Sequence, residues 1–150
     1  MEDYILVGSL RFYFSLLAAK TAYRALQLTR LSAGTSIIGR YVLKLCPDFL
    51  KQCNPYISTK INVTGTNGKT TTSGLITHLI KESGKSVINN AMGANMLTGV
   101  VNAVAVSLNP CEQTDFSVIE SDEAYLAKIY DQFEADYLIV TNLFRDQLDR

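Results

Sequence analysis

The sequence predicts an α/β domain, a mostly parallel sheet with flanking helices, preceded by a helical segment. Three observations predict it. From Lys60 onward, short apolar runs alternate with helix-length periodic stretches. A glycine-containing stretch, Thr64–Thr72, lies directly after the first such run and before the first such helix. Ahead of residue 60, apolar residues recur at helical spacing. The boundary is therefore drawn between a helical segment, 1–59, and an α/β domain, 60–150.

From about Leu10 to Leu31, Phe12, Leu16, Ala19, Tyr23 and Leu26 share one helical face, while Lys20, Arg24 and Gln27 share another. Gly34 and Gly39 punctuate Ser32–Arg40, which reads as a loop. A short helical piece is expected at Tyr41–Leu45 and another turn after Cys46-Pro47-Asp48, with Pro55 closing the region. The α/β part reads as strands at Ile61–Val63, Ser86–Ile88, Phe116–Glu120 and Tyr137–Thr141. Helices are expected between them at Thr71–Ser83 (ending at Gly84), Met96–Leu108 and Glu123–Phe133. Strands joined by helices of this length imply right-handed crossovers and a parallel sheet covered on both faces. Such sheets usually carry more strands, so the chain reads as cut short at Arg150.

The length, 150 residues, suffices for one domain with a core, and 47% hydrophobic against 19% charged residues excludes a disordered chain. Cys46, Cys53 and Cys111 lack zinc-knuckle spacing and read as reduced thiols in packing roles. Formal net charge is zero, yet residues 1–60 carry eight basic residues against three acidic ones. A basic front suits an anionic partner, such as a membrane surface or a phosphorylated substrate; it equally suits solvated helix faces. The apolar run Ile5–Leu10 is cut by Arg11, short of the ~20 apolar residues of a spanning helix. Met1-Glu2-Asp3 is acidic where a secretory signal is basic, so a cytoplasmic protein is expected. Tyrosines and phenylalanines interleave with core positions instead of a basic stripe, which argues against nucleic acid as a partner.

The chemistry concentrates in Thr64-Gly65-Thr66-Asn67-Gly68-Lys69-Thr70-Thr71-Thr72. A phosphate-binding loop needs glycines so that backbone N–H groups can close on oxygens, and a helix N-terminus aimed at the anion. It also needs a lysine for the β/γ-phosphates and a hydroxyl for Mg²⁺, which Lys69 and Thr70 supply. As a loop residue, Lys69 is expected to be exposed and to contribute little packing. The general pattern GxxxxGK[ST] places its first glycine where this chain has Val63, so the match is to a shorter variant starting at Gly65. Glu120 ends the apolar strand beginning at Phe116 and so projects from the C-terminal sheet edge, where a carboxylate can hold Mg²⁺. Asp122 and Glu123 read instead as acids favoured at a helix N-terminus. The segment Thr141–Arg150, which includes Asn142, starts at the same edge, where polar groups contact nucleotide, metal or substrate. His78, two turns beyond Thr70, reads as a surface or packing residue.

Together the loop, the strand-terminal glutamate and Asn142-Leu143-Phe144-Arg145-Asp146-Gln147-Leu148-Asp149-Arg150 resemble the Mur ligase superfamily, and within it the MurT-like branch. Gly34-Thr35-Ser36, Leu43–Asp48, Gly93–Leu97 and Glu120–Glu123 extend that similarity over nearly the whole chain. The resemblance implies that Gly65, Thr66, Asn67, Gly68, Lys69, Thr70 and Thr71 bind the ATP phosphates, with Lys69 and Glu120 catalytic and Thr70 and Glu120 on Mg²⁺. It brings Asn95 and Asn142 to the nucleotide or substrate. Gln147 departs from the histidine common in the superfamily, which puts a metal ligand there in doubt. A zinc-binding insertion would lie beyond Arg150. The implied reaction is phosphorylation of the D-glutamate α-carboxyl in lipid II and amidation by ammonia from a GatD-like glutaminase subunit, with peripheral membrane contact. Two alternatives stay open: a ligase of the folylpolyglutamate or cyanophycin type that adds an amino acid, and a nucleotide-binding fragment without turnover. The 150 residues alone are expected to be inactive.

Overall fold

A computed structural model describes residues 8–28, 35–90 and 95–143. In chain order the elements are α1 (Leu10–Leu28), α2 (Thr35–Leu45), α3 (Phe49–Cys53), a 3₁₀ turn (Asn54–Tyr56) and β1 (Ile57–Thr64). They continue with α4 (Lys69–Glu82), β2 (Val87–Asn89), α5 (Leu97–Ser107), β3 (Thr114–Glu120), α6 (Glu123–Tyr130) and β4 (Tyr137–Val140).

The four strands form one sheet in the order β2-β3-β1-β4, and every adjacent pair is parallel. Strand-side alternation assigns the two faces. On one, Asn89 extends its amide to Thr77 of α4 at 2.8 Å, so α4 covers the face of Asn89 and its neighbour Val118. On the other, Ile88 and Ile119 join the main core with Val100, Val101, Val104 and Ala105 of α5. Helices α1 and α2 complete that core from outside through Phe12, Leu16, Ile38 and Val42. Phe12 is its outer anchor: its ring lies 5.2 Å from that of Phe49 and stacks on Tyr56 at 5.7 Å.

Two expectations change. The loop read over Ser32–Arg40 is helical from Thr35 on, while residues 32–34 lie outside the described ones. Gly39 is there for packing instead of turning: a Cβ on it would collide with the Thr98 carbonyl oxygen, because α2 lies directly against α5. Cys46 and Cys53 are buried as expected, but Cys111 is exposed. Burial raises the Cys46 thiol to about 11, with the Asp48 carboxylate adding to the effect, and burial likewise raises Cys53. Both stay protonated and inert near neutrality.

Element ends shift by a few residues. Strand β1 begins four residues before Ile61, α4 starts at Lys69 instead of Thr71, and α6 stops at Tyr130 with Phe133 still bonded to the Ile129 carbonyl. No described helix is long and apolar enough to cross a membrane.

Candidate functional site

Strand β1 runs at the centre of the sheet and delivers Thr64-Gly65-Thr66-Asn67-Gly68 at its C-terminal edge. Gly65 (φ +127°) and Gly68 (φ +84°) both adopt backbone conformations that L side chains avoid. Gly65 has a second constraint: a Cβ would meet the Asn142 carbonyl oxygen at 2.6 Å. That close approach of β1 to the end of β4 explains why the first glycine of the motif stands at 65, whereas Val63 is a fully buried strand residue.

Asn142 clamps the loop. Its carbonyl accepts from Thr66 N at 2.9 Å, its Oδ1 accepts from Asn67 N at 3.0 Å, and its Nδ2 donates to the Asn67 carbonyl at 2.8 Å. Thr141 Oγ1 donates to the same carbonyl at 2.7 Å. The N–H groups of Thr66 and Asn67 therefore shape the loop from behind. The N–H groups of the first turn of α4, which starts at Lys69, have no acceptor within the helix and give the loop its positive end.

Lys69 differs from expectation. It is only 9% exposed, because its side chain folds back under the loop. Its ammonium donates to the Gly65 carbonyl and to that of Thr66 at 3.4 Å, and it lies 3.8 Å from Glu123 Oε2. Glu123 is thus both an acid of the first turn of α6 and the counter-ion of the loop lysine. Sequence reading gave it only the first role, since nothing along the chain shows that α6 starts beside the loop. Asp122 behaves as expected, capping α6 by accepting from Ala124 N at 3.2 Å.

Glu120 is 3% exposed at the end of β3, the strand paired to β1. Thr70 Oγ1 donates to its Oε2 at 2.9 Å, so the structure brings together the two residues singled out for metal binding. The height of Glu120 is set by Asn90, which the sequence did not flag. Strand β2 stops at Asn89, and the Asn90 side chain carries the ladder one residue further: Oδ1 accepts from Glu120 N and Nδ2 donates to Glu120 O, both at 2.7 Å. Ser121 is locked in turn, its hydroxyl on Asn62 Oδ1 at 2.6 Å and its carbonyl accepting from Thr64 Oγ1 at 3.0 Å. An amide or hydroxyl one residue past a short strand is the only trace of this network in the sequence.

Asn95 sits near this edge, its carbonyl accepting from Asp122 N at 3.1 Å. His78 is exposed on α4, away from these contacts. Residues 144–150, including Gln147, lie outside the described ones. Among the described residues no three His, Cys, Asp or Glu side chains gather into a metal-binding group. The oxygen pair of Thr70 and Glu120 nevertheless fits Mg²⁺, which commonly takes one or two protein oxygens and fills its shell with water and phosphate.

The chain is 34% identical over 142 residues, 95% of its length, to the Streptococcus pneumoniae protein named lipid II isoglutaminyl synthase (glutamine-hydrolyzing) subunit MurT, and spans 31% of that relative. It is 36% identical over 78% of its length to the Staphylococcus aureus subunit of the same name, and spans 26% of it. A UDP-N-acetylmuramoylalanine--D-glutamate ligase of Christiangramia forsetii is 38% identical over 60% of the chain, which spans 18% of that enzyme. Residues 63–150, from the buried end of β1 through the loop, Glu120 and Asn142, match the model of the Mur ligase middle domain, and the chain therefore belongs to the Mur ligase family.

Proposed function

We propose that this chain is the nucleotide- and metal-holding part of an ATP-dependent carbon–nitrogen ligase that activates a carboxylate by phosphorylation. The observation that carries this reading is the 2.9 Å contact between Thr70 Oγ1 and Glu120 Oε2 beside the Gly65–Thr71 loop. Thr70 and Glu120 would hold Mg²⁺, which neutralises charge on the phosphate oxygens. The loop and the N-terminus of α4 receive the phosphates. Lys69, held by loop carbonyls and Glu123, would exchange them for phosphate oxygens. Asn142 preserves the loop's shape, and Asn95, at the same sheet edge, would face the nucleotide or substrate.

In the proposed reaction an oxygen of the acceptor carboxylate attacks the γ-phosphorus and the bond to ADP breaks, giving an acyl phosphate. An amine or ammonia then adds to the carbonyl carbon, phosphate leaves, and loss of a proton completes the amide. Lys69 and the α4 N-terminus stabilise charge on the phosphoryl group in transit. Among acceptors, the MurT-type reaction is favoured: amidation of the D-glutamate α-carboxyl of lipid II, with ammonia from a GatD-like glutaminase subunit, on the cytoplasmic side. What supports this acceptor is the similarity to the Streptococcus pneumoniae MurT subunit, which runs through 95% of the chain and so takes in most of segment 1–59, whereas similarity to D-glutamate ligases covers 60% of it for that of Christiangramia forsetii and 79% for that of Nitrobacter winogradskyi.

The test compares Mg·ATP binding to wild type, Lys69→Ala, Thr70→Ala and Glu120→Gln by calorimetry, with circular dichroism to monitor folding. In the complete ligase Lys69→Ala is expected to cost on the order of 10²–10³ in rate. Undiminished binding and turnover in all three variants would remove the assignment.

A further inference from the structure

Helix α1 is apolar on two opposite sides. One side, with Phe12, Ser15, Leu16 and Ala19, is buried in the core. On the other, Leu10, Phe14, Leu17 and Leu28 are 87%, 60%, 63% and 86% exposed. Their spacing of i, i+4, i+7 and i+18 returns them to one line at about 3.6 residues per turn, which the exposed Thr21 and Arg24 share. An ordinary surface helix turns charges outward at the four apolar positions.

The apolar surface continues onto α2. A groove of about 420 Å³ between the helices is floored by Ala18, Ala22 and Ala25, whose small side chains leave the space open. Its far wall is Ile37, Tyr41 and Leu45, successive outward positions of α2 that are 54%, 62% and 42% exposed.

Charge identifies what meets this face. Helices α1 and α2 contain Arg11, Lys20, Arg24, Arg40 and Lys44 and no aspartate or glutamate. Exposed leucine and phenylalanine bordered by cations, on helices unable to span a bilayer, are the composition of surfaces that lie in a lipid headgroup layer. Apolar side chains enter the acyl boundary while Arg and Lys reach lipid phosphates.

We propose that the outward face of α1 and α2 is a docking surface for an anionic lipid bilayer. It rests on these two helices alone and stands or falls separately from the ligase reading. The face holds α1 parallel to the membrane plane, with Phe14 and Leu17 inserted and Arg11 and Arg24 on headgroups.

Flotation of the 150-residue chain with phosphatidylcholine vesicles, with or without phosphatidylglycerol, tests this at low and high salt. The expected result is binding to anionic vesicles only, weakened by salt. Phe14→Ser with Leu17→Ser should lower vesicle affinity more than roughly tenfold. Arg11→Gln with Arg24→Gln should lower it roughly thirtyfold. Leu75→Ser with Leu79→Ser, at similarly exposed leucines of α4, should leave binding intact. Circular dichroism shows that each variant is folded. No binding to anionic vesicles, or equal binding to neutral ones, overturns the proposal. So does sedimentation showing self-association that Phe14→Ser with Leu17→Ser abolishes while vesicle binding stays absent, which assigns the face to a second copy.

Discussion

Replacing Gly65 by alanine separates two physical demands on the loop, because Gly68 shares only one of them. Both glycines have positive φ: an L residue near the left-handed region, as at +84°, costs roughly 1–2 kcal/mol, and one at +127°, further outside that region, costs no less. At Gly68 a Cβ meets nothing within 4 Å, so strain is the whole cost. At Gly65 it would lie 2.6 Å from the Asn142 carbonyl oxygen and 2.9 Å from Asn142 N. These are backbone atoms with no rotamer to yield, so the end of β4 must move away. Overpacking of this kind adds about 1–3 kcal/mol. The movement also pulls Asn142 from Thr66 and Asn67, and each hydrogen bond lost there is worth about 0.5–1.5 kcal/mol at most, since water can replace it. Gly65→Ala should therefore destabilise the chain by about 2–3 kcal/mol more than Gly68→Ala. Urea unfolding followed by circular dichroism measures the difference. If the two variants lose equal stability, the approach of β4 to the loop does not require glycine and the clamp by Asn142 is misassigned.

Two further outcomes follow from the same contacts. Gly39→Val forces side-chain atoms into the Thr98 carbonyl and should separate α2 from α5, at about 1–3 kcal/mol or more in urea unfolding. Asp115 should contribute to acid sensitivity: Ser86 N–H donates to its carboxylate at 2.9 Å, with the Ser86 hydroxyl and Lys85 adding to the effect, and together they hold it at about 2. A depressed carboxylate stabilises the fold fully above its unfolded value of about 4, and the contribution disappears as pH falls through about 2. Asp115→Asn should accordingly shrink the loss of urea midpoint between pH 5 and pH 2.5, roughly the window these values define; an unchanged loss would contradict the link.

The parallel α/β architecture, a glycine-bearing loop between β1 and α4, and Glu120 at the end of β3 are legible in the sequence alone. These depend on local rules: period-two and helical patterning, glycine where φ is positive, and a polar residue closing an apolar strand. Thr70 and Glu120 were both legible, but their 2.9 Å contact was not, since it depends on β3 lying next to β1. The same strand order decided what else surrounds the loop. It put β4 beside β1, so that Asn142 closes on Asn67, and it set the start of α6 where Glu123 meets a buried Lys69. Gly39 shows the limit most directly. Along the chain a glycine signals a turn, and only the packing of α2 on α5 reveals that this one marks a close approach between helices. Patterning records how a residue relates to its near neighbours in the chain; contacts between residues 50 or 75 apart, such as Thr70 with Glu120 and Asn67 with Asn142, exist only once the sheet has set its order.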